Sequence, residues 1–399
     1  MGVGRQFRDQ QSRYEDPISG REVTCLTNWP GHSWQFYFTH PCWIDGGRAF
    51  LFHSERDNAS NYFRYELATG EIVQLTDLQG EEAFFKGCLC PATGCFYYWS
   101  GAALLELQID TPGQRQVFEV EPPFKPDQMG TKLNVSADGR HVVAVLLDVP
   151  EGYDPLNLHP YYTPPLTRLA RIDVASGVME VLLEERRFIG HLNTSPARSE
   201  LMTYTHEGPI SVDDQRIHGL NLLTGEIWVI RPERGEYRLV AEHWFADGET
   251  LGFRCHSRSA GDTRFGSIRH DNRGHVESVL PYSRHFHSLD GSLVVGDGTP
   301  VFQLGNPGTR LVTWPCILLH PREGEGRGQP QILAYHGSSF NGQRAHPHAH
   351  ITPDGRNVLF TTNRRSYKSE YSNIHMVPIG DLQELPALDV EKGVRVRGI

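Results

Sequence analysis

The stretch Gln343-Arg344-Ala345-His346-Pro347-His348-Ala349-His350 sets three imidazoles at alternate positions, just ahead of a Thr352-Pro353-Asp354-Gly355 turn. In an extended strand successive side chains point to opposite faces, so His346, His348 and His350 are expected on one face. A row of imidazoles fills an apolar core poorly, whereas neutral imidazole is the commonest side-chain metal ligand. The pattern therefore points to a divalent-metal site. Gln343 adds an amide oxygen, and Ser283-Arg284-His285-Phe286-His287-Ser288 offers either His285 or His287 as a further nitrogen. Three imidazole nitrogens and one amide oxygen carry no charge. They leave a divalent ion its full positive charge, which suits an anionic substrate better than a closed structural zinc site does. The competing reading makes these histidines exposed, or hydrogen-bonded members of a core.

Arg216 follows a turn-rich segment, Thr205-His206-Glu207-Gly208-Pro209-Ile210-Ser211-Val212-Asp213-Asp214-Gln215. A guanidinium there can fork onto a carboxylate, unless it pairs with Asp213 or Asp214 at the surface. A Gly-x-Ser-x-Gly nucleophile elbow is absent, which argues against serine-hydrolase chemistry.

These residues need a scaffold, and the scaffold shows as a repeat. A polar segment, an Asp-Gly or Pro-centred turn and an apolar strand recur around Asp45-Gly46, Pro91-Ala92, Asp138-Gly139, Pro196, Asp247-Gly248, Asp290-Gly291 and Asp354-Gly355. Each copy continues through a second pair of strands, clearest at Ala68-Thr69-Gly70-Glu71, Ala175-Ser176-Gly177 and Leu223-Thr224-Gly225-Glu226. Four short strands per unit, seven units and a period of roughly 50 residues predict an all-β, seven-bladed β-propeller. Pro17 to Leu26 reads as a second-half hairpin with no first half before it, so the N-terminal strand should join the last blade and close the ring. Tyr153 to Pro165 forms a long Pro/Tyr-rich loop of the kind found at binding faces. In a propeller the residues ahead of each inner strand crowd one mouth of the central channel. Here they are His32, His40, Lys86, Lys132, His191, His243, His285, His287, Gln343, His346 and His348.

Composition narrows the class. The 399 residues read as a single domain over 1–399, with about residues 1–15 as an N-terminal extension. A formal net charge of −10 argues against a nucleic-acid binder, which needs a basic stripe. The seven cysteines are odd in number, form no zinc pair and read as mostly buried free thiols. No apolar leader and no membrane-length apolar run are present, so no membrane partner and a cytoplasmic location are expected.

Several segments together carry a likeness. They are His206-Glu207-Gly208-Pro209 with Arg216, and Leu293-Val294-Val295-Gly296-Asp297-Gly298. The third is Gln343-x-x-His346-Pro347-His348 with Thr352-Pro353-Asp354 and Val358-Leu359-Phe360-Thr361. The chain resembles the oligogalacturonate lyases, intracellular pectin-degrading enzymes built as seven-bladed propellers. The resemblance implies a divalent metal, typically Mn2+ (with Ca2+ or Zn2+ as alternatives), held by His285, Gln343, His346 and His348. It also implies an acidic oligosaccharide substrate, bound through Arg216 and cleaved by β-elimination. One departure is evident. The family's base is the His of a His-Glu-x-Trp segment, and here that segment reads Ala241-Glu242-His243-Trp244. His243, displaced by ~7 Å along the strand, is then a candidate base, as are His191 and His206. A protein that kept the metal mouth and lost the base would instead be a non-catalytic uronate- or protein-binding propeller.

Overall fold

The computed structural model describes residues 2–78, 87–111, 113–127, 131–149, 164–207, 215–232, 237–257, 262–301, 312–364, 371–394 and 396. Lys86, Gly208 to Asp214 and most of the Tyr153–Pro165 loop lie outside the described residues.

The strands form seven antiparallel sheets, the seven blades of a β-propeller. Blade I is built from Ser33–Gln35, Ala49–Ser54, Asn61–Glu66 and Glu71–Gln74, and blade II from Gly87–Cys90, Cys95–Ser100, Ala103–Gln108 and Gln114–Glu119. Blade III comprises Leu133–Val135, His141–Asp148, Leu166–Asp173 and Met179–Glu185, and blade IV Phe188–Thr194, Leu201–Glu207, Ile217–Asn221 and Ile227–Val229. Blade V has Tyr237–Trp244, Thr250–Ser257, Thr263–Arg269 and Val276–Leu280, and blade VI Phe286–His287, Leu293–Gly296, Cys316–Glu323 and Gln331–Tyr335. Blade VII takes His350–Ile351, Asn357–Thr362 and Asn373–Pro378 from the C-terminal part of the chain. It is completed by Glu22–Cys25 and Ser12–Glu15 from the N-terminal part.

The expected closure is therefore present, and it uses a whole hairpin: Thr24 pairs with Met376 and Cys25 with His375. Within the expected N-terminal extension, two segments are paired strands of the blades. Ser12–Glu15 is the outer strand of blade VII, and Gln6–Arg8 pairs with Glu71–Gln74 as a fifth strand of blade I. Short strands at an outer edge are too brief and too polar to stand out by periodicity, which is why the sequence hides them.

The repeated Asp-Gly turns share one construction. The Oδ1 atoms of Asp138, Asp247, Asp290 and Asp354 accept the backbone N–H two residues on, from Arg140, Glu249, Ser292 and Arg356, at 2.8–3.1 Å. The next residue must then turn left-handed, and Gly does so freely: φ is 72° at Gly139 and 72° at Gly355. Between turns, strands alternate their side chains into contacts with both neighbouring blades, so apolar clusters run from blade to blade.

Side chains of the inner strands also clasp the next blade's backbone. Asn134 Nδ2 donates to the Leu192 carbonyl at 2.8 Å, and Asn193 Nδ2 to the Glu242 carbonyl at 3.1 Å. The Ser288 N–H donates to His243 Nε2 at 3.1 Å, and the Ile351 N–H to His287 Nδ1 at 3.2 Å. Trp43 Nε1 donates to His350 Nε2 at 3.1 Å. All seven cysteines are buried and free, as expected. Among the described residues no helix is long and apolar enough to cross a membrane.

Candidate metal centre

Three of the four expected ligands converge. His285 precedes the inner strand of blade VI, and His346 and His348 precede that of blade VII. One ring nitrogen from each lies within 4.8 Å of the others, and all three residues are buried. The sequence pattern does not act as a plain strand here. Gln343–Ala345 is a 3-10 turn, His348 takes a left-handed φ of 44°, and only His350–Ile351 is strand. The left-handed residue breaks the alternation, so His350 leaves the other two and accepts a hydrogen bond from Trp43 instead. His287, the alternative to His285, is committed to the Ile351 N–H and stacks on His243 at 5.2 Å.

Asp297 orients the cluster. Its Oδ1 accepts the His285 backbone N–H at 2.8 Å and its Oδ2 accepts from His285 Nδ1 at 2.6 Å. A carboxylate only accepts, so the proton sits on Nδ1 and the Nε2 lone pair is free to ligate. Asp297 is fully buried. Burial works to raise its carboxyl, and the attraction and hydrogen bonds of His285 hold it below the usual carboxylate range. The sequence segment containing Asp297 is part of the resemblance, yet nothing in one sequence places it behind His285.

The fit to a metal is tested by what the site leaves unsatisfied. Gln343 Oε1 and His346 Nδ1 are both buried with no hydrogen-bond partner. Orphaned buried acceptors are costly, and a cation removes the cost. Burial also lowers His285, His348 and His346, the last to about 3, so the rings are neutral as ligands must be. The residues present fit a divalent ion.

Beside this cluster Tyr37 and Phe38, just after the inner strand of blade I, face the ligands. The Tyr37 ring lies 4.9 Å from His348, 5.7 Å from His285 and 5.5 Å from His191, and Phe38 lies 5.2 Å from His285. Ala241 is buried against both aromatic rings. Ala241 and His191 occupy matching places in adjacent blades. Each sits in a β-bulge, with φ of 60° and 44°. Register shifts between Val240 and His243 and between Gly190 and Asn193.

The three candidate bases separate. His243 is 2% exposed and its Nε2 is taken by the Ser288 N–H; burial lowers it to about 4. The bulge breaks the alternation, so Ala241 and His243 do not share a face as a regular strand would require. His206 Nε2 meets Glu185 Oε1 at 2.7 Å, and its ring lies 4.3 Å from His218, away from the ligands. His191 faces Tyr37, with Nε2 3.4 Å from Glu207 Oε1 and Nδ1 3.8 Å from Glu242 Oε1. Burial lowers it to about 4, against the pull of Glu207.

Asp213 and Asp214, the expected surface partners of Arg216, lie outside the described residues. Arg216 forks onto Glu207, with Nη2 2.8 Å from Oε1 and Nη1 3.2 Å from Oε2. Burial raises the Glu207 carboxyl and Arg216 overcomes it, holding the group well below its usual range. Glu242, fully buried, feels the Arg216 charge but has no guanidinium within hydrogen-bond reach among the described residues. Burial pushes it up to about 7, and its Oε2 makes no hydrogen bond. The sequence drew attention to neither carboxylate, because both belong to segments whose neighbours carried the pattern.

The fold and the cluster together define a seven-bladed β-propeller with a cluster of three buried histidines that could hold a metal ion. Comparison with known proteins narrows that class. The sequence model of the family described as oligogalacturonate lyase matches residues 1–378, and the chain belongs to that family. An oligogalacturonate lyase of Dickeya dadantii is 26% identical over 392 residues, covering 91% of this chain and 95% of its own. A solved oligogalacturonate lyase in complex with manganese shares the fold at a TM-score of 0.82 and 24% identity, covering 97% of this chain and 99% of its own. A crystal structure of the Vibrio parahaemolyticus oligogalacturonate lyase superposes at 0.83 with 23% identity, covering 95% and 99%.

Proposed function

We propose that this protein is a metal-dependent lyase that cleaves short, uronate-containing oligosaccharides by β-elimination, with galacturonate oligomers as the first candidates. The observation that carries it is the convergence of three buried, neutral imidazoles on one point, with Asp297 behind His285 and a buried Gln343 Oε1, without a hydrogen-bond partner among the described residues, in the turn just before His346. His285, His346, His348 and Gln343 would hold the ion, most plainly manganese, as in the related solved structure. When bound, it supplies a positive charge that acidifies the proton next to the uronate carboxylate.

The chain's own residues do the rest. The Arg216 guanidinium stands ready for an anion but is bridged to Glu207, so a substrate carboxylate shares or displaces that contact. Among the described residues no backbone group hydrogen-bonds the His191 ring, and burial keeps it neutral at physiological pH, as a base requires. We assign it the removal of the C5 proton. Glu207, 3.4 Å from Nε2, then stabilises the imidazolium. The bond to the 4-linked sugar oxygen breaks as the C4–C5 double bond forms, its electron pair leaving with the oxygen, which takes a proton from solvent to depart as a hydroxyl. His206 contributes at most through substrate binding.

A second reading keeps one specific support. Ala241 stands where the family pattern has its base, and the Tyr37 and Phe38 rings fill the space beside it. A uronate-binding propeller without turnover would look the same. The test is ultraviolet absorbance of an unsaturated uronate with manganese and galacturonate, glucuronate or mixed oligomers. Expected are a signal with the wild type and a roughly 10²-fold loss in His191→Ala with metal content retained. Tight binding with no signal selects the binding protein. Seven free, buried cysteines fit a reducing compartment, so the cytoplasm is the proposed location.

A further inference from the structure

Two of the described cations at this mouth have a carboxylate. Arg216 has Glu207, and Lys132 has Asp127 at 3.5 Å. Arg254 has none among the described residues. It sits on the second strand of blade V, opposite Val240 and so next to the Ala241 bulge. Its Nη1 donates to the Ser283 carbonyl at 3.1 Å, two residues before the ligand His285, and its guanidinium lies 5.5 Å from the Tyr282 ring. Its Nε is buried with no acceptor. Arg284, exposed and immediately before His285, also has no carboxylate partner among the described residues. The Arg254 charge is felt at Tyr37 and His285, and that of Arg284 at all three histidines of the cluster.

A half-buried guanidinium without a counter-charge is unfavourable unless a ligand supplies one. In a chain of net charge −10, two uncompensated arginines flanking one metal-ligand segment mark that side of the mouth as anion-binding. We propose that Arg254, assisted by Arg284, binds the carboxylate of the sugar next to the one held at the metal centre, and so selects chains in which consecutive residues are uronates. This rests on the lyase reading above and names its second subsite. Arg254, being half-buried, is screened less by salt and contributes the larger share.

The test compares galacturonate with digalacturonate on the manganese-loaded full chain, by calorimetry where the sugar is not cleaved and by KM where it is. Wild type should prefer the two-carboxylate ligand. Arg254→Gln should lose roughly tenfold or more of that preference. Galacturonate affinity and bound metal should stay unchanged, and Arg254→Lys should retain part of the preference. Arg284→Gln should show a smaller loss that vanishes at high salt. If Arg254→Gln keeps the wild-type preference while folded and metal-loaded, the subsite is wrong and the lyase reading stands. If wild type binds neither sugar, both readings fall together.

Discussion

His243 in blade V and Ser288 in blade VI are joined by a hydrogen bond from the Ser288 backbone N–H to His243 Nε2, 3.1 Å long and shielded from water. The imidazole is therefore a fastener between blades. His243→Ala leaves a buried N–H without an acceptor, and the expected cost is about 1–3 kcal/mol of stability. Denaturant unfolding should show that loss, with kcat changed only a few-fold. A hundredfold fall in kcat at unchanged stability would return His243 to the role of base.

Metal retention divides by residue. His346→Ala and His348→Ala should abolish the binding of about one divalent ion per chain, read by elemental analysis after dialysis. Asp297→Asn keeps the ligand but weakens its orientation and basicity, so affinity should fall roughly 10–100-fold. Wild-type affinity in the Asp297→Asn variant would show that Asp297 only shapes the loop.

Restoring the family's imidazole in blade V meets a filled space. Ala241 is 6% exposed, against Tyr37 and Phe38. Ala241→His should destabilise by about 1–3 kcal/mol through overpacking. Combining it with Tyr37→Ala should recover part of that loss, and a non-additive double-mutant cycle is the readout. Strict additivity would mean that the two side chains do not compete for space.

Acid should unfold this protein early. His320 is fully buried with neither nitrogen bonded, and burial lowers it to about 3; His40 is lowered to about 4 for the same reason. Their unfolded-state value is about 6.5. Between the folded and unfolded values the unfolded chain binds more protons, so stability rises with pH and is lost as pH falls below about 6.5. His320→Leu should flatten the dependence by up to about 1.4 kcal/mol per pH unit in that window. An unchanged slope would show that His320 gains a partner on protonation.

Much of the fold was legible because its turns are chemical. Asp138, Asp247, Asp290 and Asp354 mark their hairpins by the same side-chain hydrogen bond, whatever the strands around them. His346 and His348 were legible as candidate ligands for a related reason: type and proximity pointed to the cluster in which the fold brings them together. What failed was the inference from alternation. The left-handed residues His191, Ala241 and His348 each offset the side-chain sequence, and no feature of a single chain announces a bulge at a non-glycine position. His350 and His243 were misplaced by that offset. Glu207, Glu242 and Asp297 were hidden differently, since their importance comes from blades that meet only in three dimensions.

Blade VII draws its strands from both ends of the chain, with Thr24 paired to Met376. During synthesis the early hairpin, paired within itself, must wait for its neighbour strand until Asn373–Pro378 has been made. His285 lies on blade VI and His346 and His348 on blade VII, so the metal centre is assembled last of all. An ion offered before residues 285–348 have been made and folded together finds no completed site. Long-range pairing of this kind slows folding in general, and metal occupancy would record that blades VI and VII have met.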